Sequence, residues 1–382
     1  METRKADIVV LTVIPQELAA VKAALGIRDL PDNRSRTQDS KTIYLHGKLY
    51  SEPTKRSYSL ALGCIGSAGN YDSSQATTEA IQTYDPKLLV LVGIAAGIQD
   101  KAKLGEVVFS ERVVGYESAA WKQLADGTQA VQPRPNMFSV PNGIQQDVTF
   151  YVATHKDRYN NIQQRLTSGF LHLGGEFPTV SAAESSSLQK KDIISSIEID
   201  VCAIASGEKL LKDPSVLEDI KDQQHGRVKV GEMEAIGFAT ACQKMRRDWL
   251  VIRGVSDFGD SYKSDVFHPL ASETAATVLA DFMQHGLDLG DLPMEEPPVD
   301  VQDLDSVPME EPPVDVLNLL NRLVPSQFDM VIFKYDVELA HLISGTQNQR
   351  SIDLIRHARQ REDASLPQLL KVIYTVAPHL KN

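Results

Sequence analysis

The chain has 382 residues and a formal net charge of −12, with 42% hydrophobic and 24% charged residues. That length suits one large or two modest domains, and the acidic balance argues against a nucleic-acid-binding body, because phosphate backbones select basic surfaces. The N-terminal METRKADIVVLTVIP lacks an apolar segment with a small-residue cleavage site. No stretch approaches the roughly 20 apolar residues of a membrane span. The expectation is a cytoplasmic protein that engages neither membrane nor nucleic acid. Cys64, Cys202 and Cys242 are far apart, without metal-ligand spacing, and read as buried thiols in a reducing compartment. Neither a metal nor a cofactor is expected.

Residues 7–13 (DIVVLTV) form a β-branched strand that ends in Ile14-Pro15-Gln16-Glu17 and feeds an amphipathic helix, LAAVKAAL. A buried first strand followed by a helix is the usual opening of an open α/β sheet. Residues 26–57 read as largely polar and irregular. A second strand in 57–70 (SYSLALGCIGSAGN) runs into a Gly-rich turn and then a helix, SSQATTEAIQTY. Residues 87–93 are the next strand, and Ile94-Ala95-Ala96-Gly97 the next turn. Small residues in such turns let backbone N–H groups approach a ligand, which makes Ala96 and Gly97 candidate contacts; tight strand-to-helix packing is the alternative. GCIGSAGN has neither the Lys-Ser/Thr ending of a P-loop nor the dinucleotide spacing. A further strand starts at 105–110. Beyond it lie a Pro-rich loop at 132–135, a helix over 143–155, and strands at 176–183 and 201–206.

The stretch 228–260 reads as strand, tight turn, helix and strand, a βαβ unit with a parallel, right-handed connection as the default. Its helix has a small face (Ala235, Gly237, Ala239, Ala241) suited to close packing on a sheet. Ligands of such sheets bind outside the carboxyl ends of the strands. Glu232, Glu234, Ser256 and Asp257 fall at those ends, and this set of carboxylates with a hydroxyl suits a polyol and acid chemistry.

GEMEA followed by IRGVSDFGD resembles the purine nucleoside phosphorylase and methylthioadenosine/S-adenosylhomocysteine nucleosidase superfamily, over about residues 6–287. The resemblance implies a nucleoside phosphorylase-like α/β fold, a twisted mixed sheet flanked by helices. It also implies that Met233 lies under a ribose, that Glu234 accepts hydrogen bonds from its 2′- and 3′-hydroxyls, and that Asp257 serves N7 of a purine leaving group. The turn ASGEKLL resembles the family's ASGDxF turn, but Leu210 stands where the family stacks an aromatic residue on the base.

Breaking an N-glycosidic bond builds positive charge on the sugar and negative charge on the base, so Asp257 suits the acid role and Glu234 the sugar. Phosphorylases hold phosphate with arginines after the first strand and before a Gly-rich turn. Here those places carry Pro15-Gln16-Glu17 and Leu91-Val92. Glu17 matches instead the nucleosidase glutamate that deprotonates water, so hydrolysis is expected over phosphorolysis. Several roles stay open. Glu232 caps a helix or binds ribose; Arg253 steadies the site carboxylates or makes a structural ion pair. Lys263 approaches a 5′-phosphate or is simply solvated, and His268 reads as structural rather than catalytic.

LPMEEPPVDV at 292–301 recurs as VPMEEPPVDV at 307–316, an acidic, Pro-rich spacer that cannot build a core. The expected domains are 1–290 (catalytic), 291–316 (linker) and 317–382, a small α-helical bundle. The tail's PSQFDMVIFKY and SIDLIRHARQ resemble the effector-associated, death-like adaptor domains of bacterial conflict systems, which implies a protein partner with a related domain. The leading expectation is a homo-oligomeric purine N-ribosyl hydrolase, with adenine as the first choice of base, acting as a defence effector on a nucleoside or nucleotide. Two alternatives stand beside it: a housekeeping methylthioadenosine/S-adenosylhomocysteine nucleosidase, and a catalytically idle nucleoside sensor.

Overall fold

A computed structural model describes residues 5–28, 30, 33–37, 42–124, 126–158, 160, 162–163, 190–259, 265–290 and 316–335, with parts of 347–377. The chain divides into two compact units, Met1–Asp300 and Val301–Asn382.

Four strands at the centre of the first unit run parallel in the order β4 (Arg56–Cys64), β1 (Ile8–Thr12), β5 (Leu88–Gly97) and β12 (Asp248–Asp257). Their apolar runs are buried without alternation, from Ile8 to Leu11, Leu88 to Val92 and Trp249 to Ile252. Continuous burial is what strands covered on both faces require. Beyond β4 the sheet continues antiparallel through β3 (Ile43–Ser51) and β2 (Arg34–Arg36). These two occupy the region read as irregular, where the mixed burial of β3 leaves no clean two-residue period.

On the other side, β6 (Val107–Gly115) lies antiparallel to β12 and parallel to β10 (Ile199–Ser206), which pairs in parallel with β11 (Val228–Glu232). The last two residues of β5 then meet β11 in antiparallel register, Val230 with Gly97 and Gly231 with Ala96. Strands β5, β12, β6, β10 and β11 therefore close into a ring. This corrects the parallel βαβ reading of 228–260. Every strand reached through β6 runs against β12, so β11 and β12 are antiparallel members of one ring. The Pro-rich 132–135 stretch joins a hairpin, β7 (Ala119–Gln123) with β8 (Gln129–Pro133), to β9 (Asn136–Ser139) on the edge of β6. The strand expected at 176–183 lies outside the described residues.

The helices of this unit are α1 (Pro15–Ala24), α2 (Asn70–Tyr84), α3 (Asn142–Thr154), α4 (Ser215–Gln223), α5 (Ala235–Met245) and α6 (His268–His285). Helix α1 packs on α6, and α2 on α5. The small face of α5 serves this helix pair, since a β-carbon at Gly237 would overlap the Asn70 carbonyl. No helix among the described residues is long and apolar enough to cross a membrane.

The second unit contains α7 (Val316–Asn321), α8 (Pro325–Lys334) and α9 (Leu366–Val376). Leu320, Phe328, Val331, Ile332, Leu354, Leu369 and Ile373 form its own apolar core. Arg350 lies 5.2 Å from the centre of the Phe328 ring and 3.0 Å from Asp329 Oδ1.

Candidate active site

The turn between β1 and α1 fixes the first carboxylate. Glu17 sits in the first helical turn and reaches back, its Oε2 accepting the N–H groups of Val13 (2.7 Å) and Ile14 (3.1 Å). Its Oε1 accepts the N–H of Ile94 from the end of β5, at 3.0 Å. Three backbone donors from two segments leave this buried side chain little rotational freedom. Burial nonetheless pushes its pKa above the ordinary range, against the pull of Arg253 and those donors.

The second group arises where β11 enters α5. Glu232 spans the start of the helix: Oε2 accepts the Glu234 N–H, and both oxygens lie 3.0 Å from the Ala235 nitrogen. This is a helix cap, favoured because first-turn N–H groups have no intrahelical partner. Glu234 points to the loop before α2, with Oε1 accepting the Gly69 N–H at 3.2 Å. Glu208, in the turn after β10, accepts the Asn70 N–H at 3.2 Å and so ties that loop to its own turn.

Arg253 of β12, 1% exposed, joins the two. Its Nη2 pairs with Glu232 Oε2 and lies 3.3 Å from Glu234 Oε2. Burial opposes the Arg253 charge, and Glu232, Glu234 and Glu17 more than offset that opposition. Gly93 makes the arrangement possible, because a β-carbon there would overlap the guanidinium and the Glu17 carboxyl. Three carboxylates around one guanidinium leave negative charge in excess. Glu234 responds by holding its proton more tightly: burial first, then the Glu232 charge, push its pKa up to about 7, while Arg253 pulls it down.

The last carboxylate lies at the end of β12. Register with β5 runs Val255 to Ala95 and then Asp257 to Ala96, so Ser256 is the extra residue of a bulge. Bulges re-aim side chains. Here both Ser256 and Asp257 face the same cavity. Ser256 Oγ donates to Asp257 Oδ2 at 2.8 Å, and the Gly259 N–H donates to Oδ1 at 2.8 Å.

These groups surround a cavity of about 210 Å³. Its wall includes Glu17, Ala96, Leu210, Glu232, Met233, Glu234, Ser256 and Asp257, the residues singled out in the sequence. Arg253 stands behind the wall, braced against the carboxylates. Gly97 is also outside it, where a β-carbon would meet Ala102 and Val255. Leu210 is 51% exposed at the position of the family's aromatic residue. Lys263 lies outside the described residues. The wall further contains Val13, Ile14, Ala68, Ile94, Lys209, Leu211 and His268. Lys209 and Leu211 belong to the ASGEKLL turn, Ile14 and Ala68 to the turns after β1 and β4, and Ile94 to the stretch read as the turn after residues 87–93. The sequence singles out none of these five as a contact, and it reads His268 as structural.

Residues 7–284 match the profile of the phosphorylase superfamily. The ATP nucleosidase Cap17 of Escherichia coli strain KTE188 is 38% identical over 283 residues, 73% of this chain and 51% of that protein. This chain therefore spans about half the length of that relative. A 5′-methylthioadenosine/S-adenosylhomocysteine nucleosidase of Marinomonas sp. strain MWYL1 is 21% identical over 229 residues, 56% of this chain and 77% of its own. Among solved structures, the corresponding nucleosidase of Colwellia psychrerythraea 34H, in complex with adenine, superposes with a TM-score of 0.50 at 14% identity. That superposition covers 74% of this chain and 96% of the other, and it shows a shared fold.

Proposed function

The chain belongs to the phosphorylase superfamily, and on that premise we propose that it hydrolyses the N-glycosidic bond of an adenine nucleotide, ATP being the first candidate. One observation carries the choice of water over phosphate: Arg253, the cation whose charge acts on Glu17, is buried and already paired with Glu232 and Glu234. A phosphate ion would have to displace carboxylates to reach it, in a cluster whose charge is negative in excess.

Each residue then has a role. Glu234 accepts hydrogen bonds from the ribose hydroxyls, with Met233 beneath the sugar. Glu17, raised in basicity by burial, takes a proton from water as the water oxygen bonds to C1′. The C1′–N9 bond breaks, its electrons pass to the purine, and Asp257 delivers a proton to N7. Arg253 and Glu232 position the carboxylates, and Leu210 gives the base an aliphatic contact. The products are adenine and the ribose phosphate.

Around this chemistry, residues 1–290 are the catalytic domain and 291–316 a tether. Residues 317–382 are a death-like adaptor that recruits a partner, making the enzyme an effector of bacterial defence that works as a homo-oligomer. The tail's own apolar core and the duplicated spacer support that division. A runner-up, 5′-methylthioadenosine or S-adenosylhomocysteine hydrolysis, is favoured by the apolar part of the wall, Val13, Ile14, Ile94 and Leu211. The test is to incubate the full chain with ATP, ADP, AMP, adenosine and methylthioadenosine and to identify products by chromatography. Adenine with ribose triphosphate from ATP is the expected result. Turnover of methylthioadenosine alone would favour the runner-up, and release of no base would refute both.

A further inference from the structure

The cavity wall is chemically lopsided. Four carboxylates face it, Glu17, Glu232, Glu234 and Asp257, and among the described residues only Lys209 and His268 bring basic side chains. A nucleoside 5′-polyphosphate carries several negative charges into this wall, on a chain whose net charge is already −12. Its sugar and base have partners in the carboxylates, but its phosphates have none there. Among the described residues, these two basic groups are the wall side chains suited to place the anion.

Each lies within 3.5 Å of a carboxylate outside the wall. The Lys209 ammonium lies 3.5 Å from Glu117 Oε1, with its side chain 79% exposed, and an exposed pair of this kind holds little energy against competition. His268 opens the long helix α6, and its Nε2 lies 3.4 Å from Asp265 Oδ1, on a carboxylate that is itself 86% exposed. Lys209 comes from the turn after β10 and His268 from the chain that follows β12, so the two reach the cavity from separate segments.

We propose that Lys209 and His268 are the specificity-determining residues of this site, holding the 5′-phosphates of a nucleoside polyphosphate and selecting it over the free nucleoside. The inference rests on the nucleotide reading above. It assigns to His268 a role beyond the structural one its sequence position suggests.

The test compares ATP with adenosine in wild type, Lys209→Ala, His268→Leu and the double variant. The measured quantity is the ratio of kcat/KM for the two substrates, from adenine release. Removing either charge-assisted hydrogen bond to phosphate should lower that ratio by about tenfold to a hundredfold, with a further fall in the double variant. Lys209 is too exposed for its truncation to disturb the core, so this variant reports even if the His268 variant misfolds. Affinities of ATP and adenosine for the same variants in an Asp257→Asn background, by calorimetry, give the ratio without turnover. Ratios within about twofold of wild type in both assays, with adenine release intact, would overturn this inference and leave the nucleosidase reading standing. Loss of adenine release from wild type would strike that reading instead, while calorimetry still decided the role of Lys209 and His268.

Discussion

Gly93 leaves the space that Arg253 fills: a β-carbon on Gly93 would overlap the guanidinium and lie 2.5 Å from Glu17 Oε1. The absence of a side chain on β5 is therefore what lets a buried cation stand among three acids. Gly93→Ala should displace Arg253 or Glu17 at a cost of about 1–3 kcal/mol in stability, the usual range for overpacking. Adenine release should fall by at least about tenfold. Thermal unfolding and steady-state kinetics on one preparation check both. A variant of wild-type stability and rate would show that the cluster yields without consequence.

On the proposed mechanism, Asp257→Asn removes the proton donor to N7 but little volume. The protein should fold as before, and base release should drop by about a hundredfold to ten-thousandfold, the range for a general acid. Retention of most of the rate by a folded variant would exclude the acid role.

Glu17→Gln should stop hydrolysis while keeping acceptor capacity for some of the three backbone N–H groups that hold the wild-type side chain. Inorganic phosphate should not accelerate the wild-type enzyme. A ribose 1-phosphate species among the products would mean that phosphate reaches C1′ despite the paired state of Arg253.

The pH dependence follows from Glu234. Burial and the Glu232 charge raise it from 4.5 to about 7, so the folded protein binds this proton more tightly than the unfolded chain. The stability it contributes is full below about pH 4.5 and is lost as pH rises through about 7. On the proposed mechanism catalysis runs the other way, because there the ionised carboxylate is what accepts the ribose hydroxyls. The expected kcat/KM therefore climbs with pH through about 7. A limb at the ordinary carboxylate value would exclude this role for Glu234.

The spacer bears on architecture. A protease of broad specificity should cut first within 292–316, where Pro and Glu exclude a core, and release a folded 1–290 fragment. Removing 317–382 should abolish association with a partner bearing a related domain, because tethering is what raises its effective concentration. Equal resistance of the spacer and its flanks, or unchanged partner binding by the truncated chain, would refute the tether.

Much of the site was legible because it rests on strand ends. Glu17, Glu234 and Asp257 each follow an apolar strand, and the sequence pattern marks where such strands stop. The closure of the ring was not legible. Nothing local in residues 228–232 states that β11 runs against β12, since this depends on β6 entering the sheet antiparallel far earlier in the chain. Strands β2 and β3 escaped for a different reason: at the margin of the sheet, with partly wet faces, they lose the apolar run that marks β1, β5 and β12. Arg253 could be read only as an ion pair of unknown partners, because Glu232 and Glu234 are about 20 residues away in sequence.

The antiparallel contact of Gly231 with Ala96 has a consequence for how the fold is completed. These residues lie 135 positions apart, and they border the cavity that Glu234 and Asp257 share. Closing this seam therefore completes the cavity wall. A refolding chain whose other strands are already paired, but whose seam is open, should show native-like circular dichroism and no turnover. Activity should then return only with the slowest long-range pairing, which makes catalysis itself a clock for the last step of folding.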